Sequence, residues 1–287
     1  MAVTFLFASL KSLREYLRWS LREIVVMNPT YRRILKDLAE GKISVDEAER
    51  LIDQTLLAEV NGLATLDVNR EARKGIPEIV YGEDKSVAEI SQIVDKMLES
   101  CDRVIISRLS EEKIEQLRKI FEGKDVTSFD RAGIIVVRSR GEVKKTGGRV
   151  GILTAGTSDL KVAEEAKVVA EEMGCEVCLE VDVGVAGIHR LIPALKKMLD
   201  KRVDVLIVVA GREGALPSVV AGLVSVPVIG IPTSSGYGFG EKGIAALMAM
   251  LQSCSLGVAV VNIDNGVGGG ALAALIANNI AAARVEK

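Results

Sequence analysis

Apolar positions in the first 27 residues return every three or four steps, at Leu6, Leu10, Leu13, Leu17 and Leu21, which predicts a basic amphipathic helix. Packing against the rest of the chain, attachment to a membrane surface, or a start at Met27 all fit it. The stretch from Tyr31 to Leu57 keeps the helical period but breaks at Gly41, and Ser44 with Glu47 has the spacing of a capping box. A helical hairpin follows from that. Between residues 63 and 121 short apolar runs alternate with helical ones: LATLDV, EIVY, then SVAEISQIVDKMLES, RVIIS and SEEKIEQLRKIF. Ser86 and Glu89 repeat the capping spacing. The segment VTSFDRAGIIVVRSRGEVKKTGGRVG is read as weakly helical, with one strand-like stretch at IIVV.

Beyond residue 145 the pattern sharpens. GRVGILTA, CEVCLEVDV, VDVLIVVA, VPVIGIP and LGVAVVNI are short, branched and apolar on both faces, and helical stretches separate them. Strands buried on both faces are parallel strands covered by helices. The predicted class is therefore α/β, with a carboxy-terminal doubly wound, predominantly parallel sheet flanked by helices. A helical and small α/β accessory region precedes it. The expected divisions are 1–27, 28–145 and 146–287.

Composition narrows the function. The 287 residues carry 37 basic and 39 acidic side chains, a net charge of -2, and only 3% are aromatic, which removes both the basic surface and the stacking rings of a nucleic-acid binder. A small ligand is expected. Four cysteines in so long a chain make no disulfide scaffold, and no run near the amino terminus is long enough to span a bilayer. Cytoplasmic residence is the expectation, with no membrane partner.

Candidate chemistry lies where strands end, because open parallel sheets bind ligands outside the carboxyl ends of their strands. The turn TAGTSD places Gly156, Thr157, Ser158 and Asp159 between a strand and a helix start, where hydroxyls and unpaired amides hold phosphate oxygens. An ordinary capped turn uses the same residues. The loop PTSSGYGFGEKG offers Ser234, Ser235 and Gly236 as a second hydroxyl-rich crossing, or as a plain structural turn. Arg212 and Glu213 follow the strand VLIVVA, so that Glu213 can take a proton from a ligand and Arg212 can face an anion; a surface ion pair between them is the simpler account. His189 is the chain's one histidine and has no zinc spacing; it suits proton transfer, phosphate contact or a structural hydrogen bond. Glu180 and Asp182 make either ion pairs or a weak magnesium site. Cys254 follows a helix and precedes a strand, which sets it on the opposite rim from those loops unless a bend or a second copy intervenes. Burial as a small apolar side chain is the alternative. Cys175 and Cys178 fall within a strand and read as packing residues.

Taken together, GTSD at 156–159, DVGVAGIHR at 182–190, GREGALPSVVAGL at 211–223, PVIGIPTSSGYG at 227–238 and SCSLGVAVVNIDNGVGGG at 253–270 resemble the LarB family of nickel-pincer cofactor biosynthesis. The carboxy-terminal half is similar to the PurE-type aminoimidazole ribonucleotide carboxylases and mutases. The resemblance implies an ATP-independent pyridinium-3,5-biscarboxylic acid mononucleotide synthase. Such an enzyme carboxylates nicotinic acid adenine dinucleotide with CO2 and hydrolyses its phosphoanhydride to release AMP. It further implies that Cys254 forms a transient bond to the pyridinium ring, that Glu213 removes the ring proton, and that His189 serves a leaving oxygen. Gly156, Thr157, Ser158, Asp159, Arg212, Ser234, Ser235 and Gly236 are then the substrate-binding set. Mg2+ is the implied ion, its ligands unassigned, with no tightly bound organic cofactor. A homo-oligomer with shared active sites, an octamer being one such assembly, and downstream nickel-pincer enzymes are the implied partners. An aminoimidazole ribonucleotide carboxylase or mutase and a non-catalytic nucleotide-binding module are the alternatives.

Overall fold

The computed structural model describes residues 29–285 apart from 57, 61–63, 67–69, 140–142 and 241. The expected helix over 1–27 lies outside the described residues. By internal contacts the chain separates into two units, 1–78 and 79–287.

The first unit opens with the expected helical hairpin, α1 (Pro29–Ala39) and α2 (Val45–Leu56). The Glu47 amide donates to Ser44 Oγ at 3.1 Å, which supplies one of the bonds an unpaired helix start needs. Strands β1 (Ala58–Val60) and β2 (Ala64–Leu66) pair antiparallel, and a short α3 (Arg70–Lys74) follows.

In the second unit two sheets share a layer of helices. One is four-stranded, in the order β3 (Ile79–Tyr81), β4 (Arg103–Ser107), β6 (Ile134–Arg138), β5 (Asp125–Phe129), with β3 and β4 parallel and the other pairs antiparallel. Helices α4 (Val87–Leu98) and α5 (Glu111–Ile120) belong to it, and α4 begins with a complete capping box between Ser86 and Glu89. The segment VTSF is the outer strand β5, not a helical stretch. Val126, Thr127 and Phe129 favour an extended chain, and the Asp130–Gly133 turn folds it back on β6.

The other sheet is five-stranded and wholly parallel: β11 (Val258–Val260), β10 (Val228–Pro232), β9 (Val205–Ala210), β7 (Arg149–Thr154), β8 (Glu176–Glu180). Alternation along β9 turns Leu206 and Val208 toward a core with Leu195 and Met198 of α7 (Leu191–Asp200), Val220 of α8 (Leu216–Ala221) and Met250 of α9 (Ile244–Leu251). Ile207 and Val209 face the opposite side, that of α6 (Leu160–Glu172) and α10 (Gly266–Val285). By length and composition α10 is apolar enough to cross a membrane, yet half of that stretch is buried inside the fold. Its glycines explain why: a Cβ at Gly270 would stand 2.5 Å from the Ala166 carbonyl oxygen, so only glycine lets α10 lie this close to α6.

Helix α6 also carries the four-stranded sheet on its outer side. Val168 joins Ile105, Ala132, Ile134 and Val136 in one core, and Glu172 pairs with Arg138. Val104, Ile106, Ile135 and Val137 are equally buried on the other face of that sheet. The inner strands of both sheets therefore lie between layers, which is why β4, β6, β7, β9 and β10 read as continuous apolar runs.

Candidate active site

Strand order decides where the site lies. From β7 the chain steps outward to β8, then returns across β7 to β9 and moves the other way, so the crevice opens between the loops after β7 and β9. A cleft of about 220 Å³ occupies that point, lined by Gly156, Ser158, Asp159, Gly211, Arg212 and Glu213 among others.

Its loops are tied by one side chain. Asp159 is 2% exposed. One carboxylate oxygen accepts from Thr233 Oγ1 at 2.6 Å and from Ser235 Oγ at 2.8 Å. The other accepts from the Gly156 amide at 2.9 Å. The turn after β7 and the loop after β10 are thus locked to each other across the mouth of β9. Gly211 lies beneath this knot, where a Cβ would come within 2.3 Å of Ser235 Oγ and 2.7 Å of Thr233 Oγ1. The residue there must be glycine for the three loops to meet.

Arg212 and Glu213 are exposed on the rim. The guanidinium stacks over the Tyr237 ring, 3.7 Å from its centroid, and donates to the Tyr237 hydroxyl at 2.6 Å. Glu213 lines the cleft and is exposed, so its carboxylate is available to accept a proton or a hydrogen bond from a ligand.

Not all expected residues converge here. Ser158 and Ser235 line both the cleft and a larger neighbouring cavity, while Ser234 lines only the latter and donates its amide to Asp264 at 2.9 Å. Gly236 packs on the backbone of Arg212. Thr157 is exposed beside the cleft, and His189 is exposed on the tight turn Val185–Arg190 beyond the lining residues. Glu180 and Asp182 are paired with Lys197 and Arg190. Cys175 and Cys178 are buried in the sheet region, and burial with the nearby Asp204 pushes the Cys175 thiol up to about 11.

Cys254 is exposed at the opposite rim. Its neighbours Ser253 and Ser255 bond to Ser218, and Gly257 accepts from Val228, the first residue of β10. Glu213 belongs to the loops at the other end of the strands. The length of β10 separates those ends, roughly 15 Å at the rise of an extended chain. The chain bends nowhere to bring Cys254 and Glu213 of one copy together. Around the cysteine an apolar surface lies open: Met248 is 61%, Leu251 66% and Leu256 93% exposed.

Sequence reasoning missed Thr233, Gly211 and Tyr237. Each stands inside a segment it had singled out, but nothing local marks Thr233 as a partner of Asp159. It also missed Glu165 on α6, which is buried, accepts from Ser107 Oγ on one oxygen and takes the Val267 amide on the other at 3.2 Å. Burial raises its carboxyl above the ordinary range, against the pull of the Ser107 and Val267 hydrogen bonds. A carboxyl raised on folding stabilises the fold below its unfolded value, and that contribution disappears as pH climbs through the raised value. Glu165→Gln is therefore expected to gain in thermal stability relative to the parent as pH rises above the ordinary carboxylate range. Melting curves of the two proteins that stay parallel across that range would remove the assignment.

Residues 149–287 match the AIR carboxylase family, 58–139 the LarB/PurE-like N-terminal domain, and 29–54 a SHOCT-like domain. The chain belongs to the LarB family. Another protein like it throughout is the uncharacterized protein MJ0165 of Methanocaldococcus jannaschii, 46% identical over 255 residues, which are 88% of this chain and 98% of that one. Two N5-carboxyaminoimidazole ribonucleotide mutases match part of it. That of M. jannaschii is 35% identical over 47% of this chain and 85% of its own length, and that of Thermotoga maritima 31% over 45% and 74%. The switch-point cleft and the knot at Asp159 thus lie in the AIR carboxylase part of a LarB-family chain, and the chain is a member of a carboxylase and mutase family. The LarB/PurE-like part supplies the four-stranded sheet that covers α6.

Proposed function

We propose that this LarB-family chain is an ATP-independent nucleotide carboxylase and hydrolase. It converts nicotinic acid adenine dinucleotide, CO2 and water to pyridinium-3,5-biscarboxylic acid mononucleotide and AMP, a reaction of nickel-pincer cofactor synthesis. One observation carries the reading: an exposed cysteine stands inside an uncovered apolar surface at one rim, and an exposed carboxylate stands beside a hydroxyl-rich, phosphate-suited turn at the other.

The apolar surface around Cys254 is covered by a second copy in this reading, and that contact sets the thiol of one copy over the cleft of the other. The thiolate adds to the pyridinium carbon next to the carboxylation position, and the ring electron pair moves to nitrogen. The resulting enamine attacks CO2 through C5. Glu213 takes the C5 proton, and expulsion of the thiolate restores the aromatic pyridinium. The backbone and hydroxyls of Gly156–Ser158 hold phosphate oxygens, and Arg212 offsets the ring carboxylates once it leaves Tyr237. Asp159 acts on the ligand through the loops it fastens. Water then splits the phosphoanhydride, with His189 brought to the leaving oxygen from the exposed turn after β8.

Among the described residues no three Asp, Glu, His or Cys side chains gather into a cage for Mg2+. Any Mg2+ in this reading arrives with substrate phosphates and water, and every step above is carried by the protein's own groups.

The mutase relatives favour a second reading, carboxyl transfer on an aminoimidazole ribonucleotide. Supplying both nucleotides with isotopically labelled CO2 and Mg2+, followed by mass analysis, separates the two. Labelled dicarboxylated mononucleotide together with AMP is the expected result. Turnover of the aminoimidazole ribonucleotide alone would overturn it, and tight binding with no conversion of either would leave a nucleotide-binding module.

A further inference from the structure

A cavity of about 650 Å³ adjoins the cleft, which measures about 220 Å³. The two share Ser158 and Ser235 in their walls, so a single extended ligand can lie across both. One side of the cavity comes from the four-stranded sheet: Arg108 directly after β4, and Lys113 in the first turn of α5. The other comes from Lys161 and Glu165 on α6, with Ser234 and Asp264 closing the end.

The wall sets three cations, Arg108, Lys113 and Lys161, against three carboxyl groups, Glu83, Glu165 and Asp264, and the two sets differ in how far each is committed to partners within the protein. Arg108 is exposed, lies 5.3 Å from the Tyr81 ring centroid, and approaches Glu83 only to 3.5 Å, an exposed pair that leaves guanidinium donors for a ligand. Lys113 Nζ donates at 2.7 Å to the carbonyl oxygens of Gly82 and Glu83, which fixes its position and does not cancel its charge. Lys161 is exposed in the first turn of α6. Of the three carboxyl groups in the wall, Glu83 faces Arg108, Glu165 is buried behind Ser107 and Val267, and Asp264 takes the Ser234 amide. Leu109, Val162 and Ile263 give the remaining wall an apolar patch.

The mononucleotide mutases match less than half of the chain, and the AIR carboxylase match begins at residue 149, after Arg108 and Lys113. Two of the three cations, Arg108 and Lys113, therefore come from the region that the LarB/PurE-like N-terminal domain adds, and Lys161 faces them from the AIR carboxylase part. The geometry points to this cavity as the seat of the nucleoside monophosphate half of a dinucleotide, the half that leaves as AMP, with Arg108 and Lys161 on its phosphate and the apolar patch against its base. This assignment rests on the dinucleotide reading above. It makes the amino-terminal sheet a substrate-binding element and gives the dinucleotide a reason to be preferred over a mononucleotide.

The test is calorimetric titration of the full chain with AMP and, separately, with nicotinic acid mononucleotide, for the parent, Arg108→Ala, Lys161→Ala and the double variant. Melting curves of all four confirm that they are folded, and both side chains are exposed enough for that to be expected. Each lost cation is expected to weaken AMP about tenfold, the size of one charge-assisted hydrogen bond, while nicotinic acid mononucleotide keeps its affinity. Unchanged AMP affinity in the double variant overturns the assignment, as does competition between the two mononucleotides for one site. The two readings fail separately. Arg108-dependent AMP binding without dinucleotide turnover removes the substrate reading and keeps the cavity, whereas dinucleotide turnover with AMP affinity indifferent to Arg108 and Lys161 does the reverse.

Discussion

Mixing Cys254→Ala protein with Glu213→Gln protein is expected to restore turnover that each lacks alone. In isolation either substitution removes a group that forms or breaks a bond in the proposed reaction. For Cys254→Ala the loss is on the order of 10³-fold or more, the scale seen when a covalent nucleophile is deleted. Glu213→Gln is expected to bind the dinucleotide as before and to lose the proton-transfer step. The recovery follows from where the two residues stand. Cys254 lies three residues before Gly257, whose carbonyl takes the amide of the first residue of β10, Glu213 belongs to the loops beyond the other end of the strands, and in the proposed reading a second copy covers the apolar surface at Met248, Leu251 and Leu256. If each cleft takes Glu213 from one copy and Cys254 from the next, a random equal mixture contains intact clefts at about one site in four. The measurement is turnover after the two tagged variants are co-assembled, with mixed assemblies verified through both tags. Verified mixed assemblies that stay as inactive as the separate variants would remove the shared site.

The three inner parallel strands, β7, β9 and β10, were legible because each is buried along nearly its whole length and so reads as an uninterrupted apolar run, whereas the edge strands β8 and β11, partly exposed, were marked by their branched residues. Loop positions followed from chain order alone, and the rim of Cys254 with them. Strand β5 was misread because, at the outer edge of its sheet and with Asp125, Thr127 and Ser128 among its residues, it carries no apolar run to mark it. The site itself was half legible. Gly156, Ser158, Arg212, Glu213 and Ser235 line the cleft because they follow strand ends, which chain order shows. Asp159 was read as a residue facing ligand, yet its partners Thr233 and Ser235 lie 74 and 76 residues further on, and no local spacing shows such a bond. Glu165 and Ser107 are 58 residues apart, one on helix α6 and the other at the end of strand β4, so neither carries a trace of the other in its neighbourhood. What sequence shows is where the loops are; what ties the loops together appears only when the layers are stacked.

Asp159→Ala is the substitution expected to cost the fold most at the site. The carboxylate is buried and receives three hydrogen bonds, from Thr233, Ser235 and the Gly156 amide. Thr233 is itself 1% exposed. Its hydroxyl keeps the 2.8 Å contact to Ser235, but the Gly156 amide loses its acceptor inside the turn, and the loop after β10 loses its only charged anchor on the turn after β7 among the described residues. Bonds to a charged group and the penalty for an orphaned buried donor together put the loss at about 2–4 kcal/mol. For a unit of this size that lowers the melting temperature by roughly 5–15 °C. Ligand-free thermal unfolding is the decisive measurement because it separates two roles. A carboxylate that merely contacted a ribose would leave the melting temperature unchanged and raise KM alone. A carboxylate that fastens the loops must lower the melting temperature before any nucleotide is added, and must lower phosphate affinity as well, since Ser158 and Ser235 then no longer face the same point.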